Sequence, residues 1–136
     1  MFCRLRKKWV ALTPEERVRQ YFTSWLINSL DYRSGLMANE MTISLNGMSR
    51  RCDTVIFAPD GLSPVAIVEY KAPHIKITRE VFNQAARYNI VLKTPMLIIS
   101  NGLTHYCAIV KGEQSITFLK EIPTFPALLS LLDRNN

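Results

Sequence analysis

Cysteine is scarce in this chain. There are three among 136 residues, Cys3, Cys52 and Cys107, far apart and without a Cys-x-x-Cys pair. An odd, scattered set argues against a disulfide framework or a zinc centre and fits a reducing cytoplasm. Five Gly and seven Pro exclude collagen-like and low-complexity chains. A Gly-rich phosphate-binding loop is missing, and a motor core needs more chain than this, which excludes an ATP-driven motor. No stretch approaches the roughly 18 consecutive apolar residues of a membrane span. The basic start is followed only by Trp9-Val-Ala-Leu12 before Thr13-Pro-Glu-Glu-Arg17, too short an apolar run for a signal peptide.

What the chain does have is an ordinary globular composition. Hydrophobic residues make up 48%, enough apolar surface to offset the ordering entropy that keeps polar chains unfolded. Its length suits one domain of roughly 100–200 residues. The expectation is therefore a single domain over residues 1–136, with a basic tail at 1–12 that includes Arg4, Arg6, Lys7 and Lys8. Lys and Arg total 17 against 11 Asp and Glu, a net charge of +6, which favours an anionic partner, nucleic acid first.

Periodicity sets the order of elements. Thr13, Pro14 and Glu16 form a helix-start signature with a capping box. Val18, Tyr21, Phe22, Trp25, Leu26 and Leu30 then share one helical face. Residues 39–46 alternate, with Met41, Ile43 and Leu45 on one side, and Asn46-Gly47 signals a tight turn. Residues 50–57 and 64–71 read as two more strands around Pro59-Asp60-Gly61, which makes a meander of antiparallel strands. A second helix is predicted from Thr78 to Leu92. Met96–Ser100 is a continuous apolar strand of the kind buried on both faces. Strands at 105–110 and 115–119 and a helix at 125–132 complete the order α-β-β-β-α-β-β-β-α, an α/β (α+β) fold.

The chemistry concentrates in the second and third strands. Alternation places Val65, Ile67, Glu69 and Lys71 on one face, and Arg51, Asp53, Val55 and Phe57 on one face of the strand before. A hairpin folded about Gly61 pairs residue i with 122 − i. Phe57 then meets Val65, Val55 meets Ile67 and Asp53 meets Glu69. In that register two carboxylates stand roughly 4.5–5.5 Å apart at their Cβ atoms. Their repulsion needs an offset: a shared proton, the Lys71 ammonium, or a divalent cation such as Mg²⁺. Two carboxylates and a lysine suit phosphodiester hydrolysis, in which a hard cation polarises phosphoryl oxygen and acidifies water while the lysine places or deprotonates that water.

The next helix adds Gln84 and Tyr88, spaced i, i+4 on one face. Arg51-Cys52-Asp53, Val68-Glu-Tyr-Lys71 and Gln84-Ala-Ala-Arg-Tyr88 together resemble the PD-(D/E)XK nuclease superfamily, the last stretch its RecB-like branch. Thr13–Gln20, Glu69-Tyr-Lys-Ala-Pro73, Gln84–Asn89 and Ser100-Asn-Gly102 are similar to the N-terminal nuclease domain of type I restriction enzyme R subunits. Cys52 stands where the superfamily motif has Pro. The resemblance spans roughly residues 13–110. It implies a restriction-endonuclease-like core, a central mixed sheet flanked by helices. It also implies Asp53, Glu69 and the Tyr70 carbonyl as ligands of Mg²⁺ (or Mn²⁺), Lys71 as the catalytic lysine, and Gln84 and Tyr88 as accessory residues. DNA is the implied substrate, with a separate motor or specificity subunit as a candidate partner. The last strands offer an edge for homodimer pairing.

Other residues are weighed against these. Glu15 borders the inward face of the first helix and is the preferred first-helix carboxylate for the site, whereas Glu16 reads as pointing outward into the cap. Glu40, at a strand start, is a further candidate for the same cleft. Arg50, Arg51, Lys76, Arg79 and Arg87 flank the site in sequence and are the expected phosphate contacts. His74 and His105 read as loop and structural residues. Gln84 is expected on the face toward Lys71, with Val81 and Ala85, its amide satisfied near Lys71 or Glu69. Two other functions stay open: a catalytically silent module binding DNA or a partner, and a structural protein whose charged strand end only forms an ion pair.

Overall fold

The computed structural model describes residues 13–112 and 115–134, with the backbone of Phe2–Cys3 and Lys8–Trp9. Those two dipeptides, β1 (Phe2–Cys3) and β2 (Lys8–Trp9), pair antiparallel, so the expected tail carries a small ladder. Arg4, Arg6 and Lys7 lie outside the described residues. The first helix, α1 (Pro14–Ser29), starts where expected: Thr13 Oγ1 accepts the Glu16 amide at 3.1 Å, and Pro14 occupies the first turn. A 3-10 turn (Ser34–Leu36) leads into the sheet.

Six strands follow: β3 (Met37–Leu45), β4 (Met48–Phe57), β5 (Pro64–Tyr70), β6 (Met96–Ser100), β7 (His105–Gly112) and β8 (Ser115–Phe118). They lie in the sheet in chain order, β3-β4-β5-β6-β7-β8. Only β5–β6 is parallel, because helix α2 (Arg79–Leu92) carries the chain back between them. Helix α3 (Phe125–Arg134) closes the chain. Asn46 and Gly47 both have positive φ, 53° and 80°, the left-handed pair a two-residue hairpin turn requires.

Helices cover both faces. Val18, Phe22 and Leu26 of α1 and Phe125 and Leu128 of α3 pack on Val68, Ile98 and Ile109. Phe82, Ala85 and Ala86 of α2 pack on Leu97, Ile99, Ala108 and Val110 on the other face. Strand β6 therefore sends alternate residues to two cores and is buried throughout, as its unbroken apolar run predicts. Tyr21 departs from expectation: it is 60% exposed, while Val18, Phe22 and Leu26 carry the α1 contact.

The β4–β5 register holds at Thr54↔Val68, Val55↔Ile67 and Ile56↔Ala66, then slips by one residue so that Phe57 faces Pro64 rather than Val65. Pro64 brings no N–H to the ladder, and the turn is closed by the Ala58 amide on Ser63 O (2.8 Å) and by Asp60 capping the Leu62 and Ser63 amides. The charged end behaves differently. Strand pairing stops at Thr54↔Val68, and the Asp53 carboxylate takes over, its Oδ2 accepting the Tyr70 amide at 2.9 Å.

Candidate active site

A cleft of about 560 Å³ opens at this end of the sheet. It is lined by Thr13, Glu15, Glu16 and Arg19 of the α1 region, Glu40 of β3, Arg50, Arg51 and Asp53 of β4, and Glu69, Tyr70 and Lys71 at the end of β5. Three of the expected residues, Asp53, Glu69 and Lys71, thus meet in one cavity, because the hairpin brings two strand ends side by side.

Glu69 is the buried carboxylate of the group, 7% exposed. Burial pushes its pKa up; Asp53 adds to the rise, while Arg50 and Lys71 oppose it. Arg50 Nη2 forms an ion pair with Glu69 Oε1. Arg50 Nη1, the other terminal nitrogen, is buried without a hydrogen-bond partner. The Arg50 guanidinium also lies 4.4 Å from the centroid of the Tyr88 ring. Tyr88 is therefore joined to the site through Arg50. Gln84 is exposed and outside the cleft lining, which corrects the expected buried amide. The buried amide of α2 is Asn89, whose Nδ2 donates to Thr94 O and Met96 O (3.4 and 3.1 Å).

The first-helix carboxylates exchange roles. Glu15 lines the cleft rim and is exposed, whereas Glu16, expected to point outward, is 5% exposed and paired with Arg19. Glu16, Arg19 and Thr23 form a buried polar stripe at i, i+3, i+7. That spacing is the signal that could have found them, since it is the helical period written in polar residues. Glu40 does face the cleft. Its carboxylate meets Arg51 Nη2 at 3.2 Å and Arg19 Nη1 at 3.8 Å.

Strand alternation changes phase beside Asp53. Cys52 and Val55 belong to one apolar cluster although an odd step separates them. Directly across the ladder, Glu40 has a φ of 54°, and no strand pair forms between positions 40 and 53. This irregularity sends Arg50, rather than Arg51, to Glu69. Of the expected phosphate contacts, Arg50 and Arg51 line the cleft, and Lys76, Arg79 and Arg87 do not. Arg79 instead sits 4.9 Å over the Phe118 ring.

Ser100-Asn-Gly102 supports the Lys71 end. The Lys71 amide donates to Ser100 O at 2.9 Å. Asn101 Nδ2 donates to Ile75 O, and its Oδ1 accepts the Leu103 and Thr104 amides. Ser100 Oγ bonds His105 Nδ1 at 2.7 Å, and Trp25 stacks on the imidazole. His105, read as structural, is thus held between Ser100 and Trp25.

The model of the type I restriction enzyme R protein N terminus matches residues 14–123. The chain belongs to that family. The match takes in α1, the six-stranded sheet and α2. No curated protein sequence matches the chain. A crystal structure described as "a putative nuclease belonging to DUF820", from Anabaena variabilis, is similar at a TM-score of 0.56 and 13% identity, covering 91% of this chain and 79% of that one. The likeness shows a shared fold, and the family match places that fold among restriction-enzyme R protein N termini. Among the described residues, no helix of this family member is long and apolar enough to cross a membrane.

Proposed function

We propose that this domain hydrolyses DNA phosphodiester bonds with Mg²⁺ (or Mn²⁺), using Asp53, Glu69 and Lys71. The observation that carries the reading is a buried carboxylate, Glu69, in a cleft shared with Asp53 and Lys71. Two carboxylates converging in one cleft suit a hard cation. Among the described residues no three His, Cys, Asp or Glu side chains converge as a metal centre. A cation here would rest on Asp53 and Glu69, with the Tyr70 carbonyl as a third donor and water completing its shell, the usual arrangement for Mg²⁺. Bound there, the cation would supply Lewis-acid activation of the phosphoryl group and a more acidic water.

The chain's own residues do the rest. Lys71 orients or deprotonates the attacking water and offsets charge in the transition state. Arg51 and Arg50 bind phosphate oxygens at the cleft. Asp53 is held in place by the Tyr70 amide, which keeps one carboxylate oxygen oriented. The test is cleavage of duplex and single-stranded DNA with Mg²⁺. Asp53→Ala and Lys71→Ala should each lower turnover at least about 100-fold, with unchanged circular dichroism. Lys71→Ala should leave Mn²⁺ binding nearly intact, since an ammonium is not a ligand. Undiminished cleavage in both variants would refute the assignment.

A second reading has its own observation. Carboxylates in the cleft already have cationic partners: Glu16 with Arg19, Glu40 with Arg51, Glu69 with Arg50. In that reading the domain binds DNA or a partner subunit and leaves cleavage to others. It predicts DNA affinity that falls steeply with salt and no product at any metal concentration. The family's R-protein name supports other subunits as partners, a separate motor or specificity subunit among them. Among the described residues the sheet ends at β3 and β8; such edges support pairing with a second copy, and the chain's few scattered cysteines support a cytoplasmic setting.

A further inference from the structure

We infer that Arg50 is a resident counter-ion of Glu69, which the metal must displace on binding, and that Tyr88 is the positioning residue that keeps it there. The inference rests on the metal-dependent reading above.

Glu69 is buried and needs positive charge nearby. Arg50 provides it, yet incompletely. An ion pair out of water holds well only when its remaining lone pairs and protons are also satisfied. Here Arg50 Nη1 is buried without a hydrogen-bond partner. A divalent cation coordinating the carboxylate oxygens brings more charge than the imperfectly satisfied guanidinium, so the exchange is favoured once metal is present. The pair is still strong enough to compete, since its two side chains are only 21% and 9% exposed.

The ring explains why Arg50 stays. Of the three guanidinium–ring contacts among the described residues, Arg50 on Tyr88 is the closest, 4.4 Å against 4.9 and 5.8 Å. A cation over an aromatic face is held by the ring quadrupole. Tyr88 thus confines the guanidinium beside Glu69 rather than letting it extend into solvent. After displacement Arg50 remains tethered three residues from Asp53, where substrate phosphate oxygens replace the lost carboxylate. The tyrosine of the Gln84–Tyr88 pair then acts through Arg50 and touches neither metal nor substrate.

The experiment is Mn²⁺ titration of the DNA-free protein by calorimetry or electron paramagnetic resonance. Arg50→Gln should bind Mn²⁺ more tightly, by roughly tenfold, because the competing cation is gone. Arg50→Lys keeps a cation and should fall back toward the wild-type affinity. Tyr88→Leu, at a position 37% exposed, should tighten binding by a smaller factor. The double variant should match Arg50→Gln alone, because Tyr88 has nothing left to position. A merely structural Arg50 would give the opposite sign, weaker binding and a lower melting temperature, and would overturn the inference. Equal affinity in wild type, Arg50→Gln and Tyr88→Leu would overturn it too. Should Arg50→Gln not fold, Tyr88→Leu decides by the same sign. If the wild type binds Mn²⁺ and Asp53→Asn does not, while Arg50→Gln is no tighter, only this inference fails. If neither wild type nor Arg50→Gln binds Mn²⁺, the metal reading itself fails.

Discussion

The two ends of the β4–β5 hairpin are built from the same backbone and do opposite things. At one end Val55, Ile56, Ala66 and Ile67 are fully buried and matched across the ladder. At the other, pairing lapses, a carboxylate accepts the Tyr70 amide, and Asp53, Glu69 and Lys71 open onto a cleft. The difference teaches how a sheet can carry charged chemistry. The apolar end fixes where the strands lie. The charged end, released from strict pairing, aims side chains at one point.

Substitutions at the two ends should therefore move stability in opposite directions. The largest effect is expected at the apolar end. Ile67→Ala removes a fully buried side chain between two strands and should cost about 2–5 kcal/mol in denaturant unfolding. A loss below about 1 kcal/mol, outside the usual range for such a truncation, would show that the hairpin is not anchored there. At the charged end Glu69→Gln should stabilise the protein at neutral pH, by less than the apolar truncation costs, while impairing metal binding. The sign follows from burial, which raises the Glu69 pKa above its ordinary 4.5. The folded state then binds more protons than the unfolded one between those two values, so ionised Glu69 is a cost that grows as pH rises through the window. The advantage of the Glu69→Gln variant should accordingly vanish below pH 4.5. A Glu69→Gln variant less stable than wild type at neutral pH would contradict this. The smallest effect belongs to His105, next to the Lys71 support. Burial lowers its pKa below the ordinary 6.5, so the unfolded state holds the extra proton. Its contribution is present above that value and is lost as pH falls. The stability difference between wild type and His105→Gln should shift by a few tenths of a kcal/mol across that range, given the partial exposure of the ring. Parallel pH curves would argue against it.

Much of this comparison is legible in the amino-acid order. Alternation and the Asn46-Gly47 and Gly61 turns mark the strands, and matching Val55 to Ile67 yields the register at the apolar end. The unbroken Met96–Ser100 run announces a strand buried on both faces. Local patterns miss what tertiary packing decides. The phase change beside Asp53 lies opposite Glu40, a neighbour on another strand with left-handed backbone, so alternation alone places Arg51 on the Asp53 face and does not show that Arg50 meets Glu69. On α1, apolar periodicity drew attention to Tyr21 and away from Glu16 and Arg19, a polar stripe with the same spacing. On α2, the i, i+4 pairing of Gln84 with Tyr88 was real as geometry. The buried stripe, however, runs through Phe82, Ala85, Ala86 and Asn89, which leaves Gln84 in solvent.

The sequential order of the strands has a kinetic consequence. Every partner in the main sheet is the next strand along the chain, so each pairing closes a short loop apart from the single crossover through α2. Short loops cost little closure entropy, and folds dominated by near contacts assemble faster than those that wait for distant segments. Asp53 and Glu69, 16 residues apart, can come together as soon as their own hairpin zips, before α2 or the later strands have docked. Helices α1 and α2 then close over a geometry already set. The two cleft carboxylates would thus belong to the earliest part of the molecule to form, with slow steps expected where α1 and α3 dock on the sheet. Pulse-labelled hydrogen exchange would show this as early protection of the Val55 and Ile67 amides, ahead of those in α3.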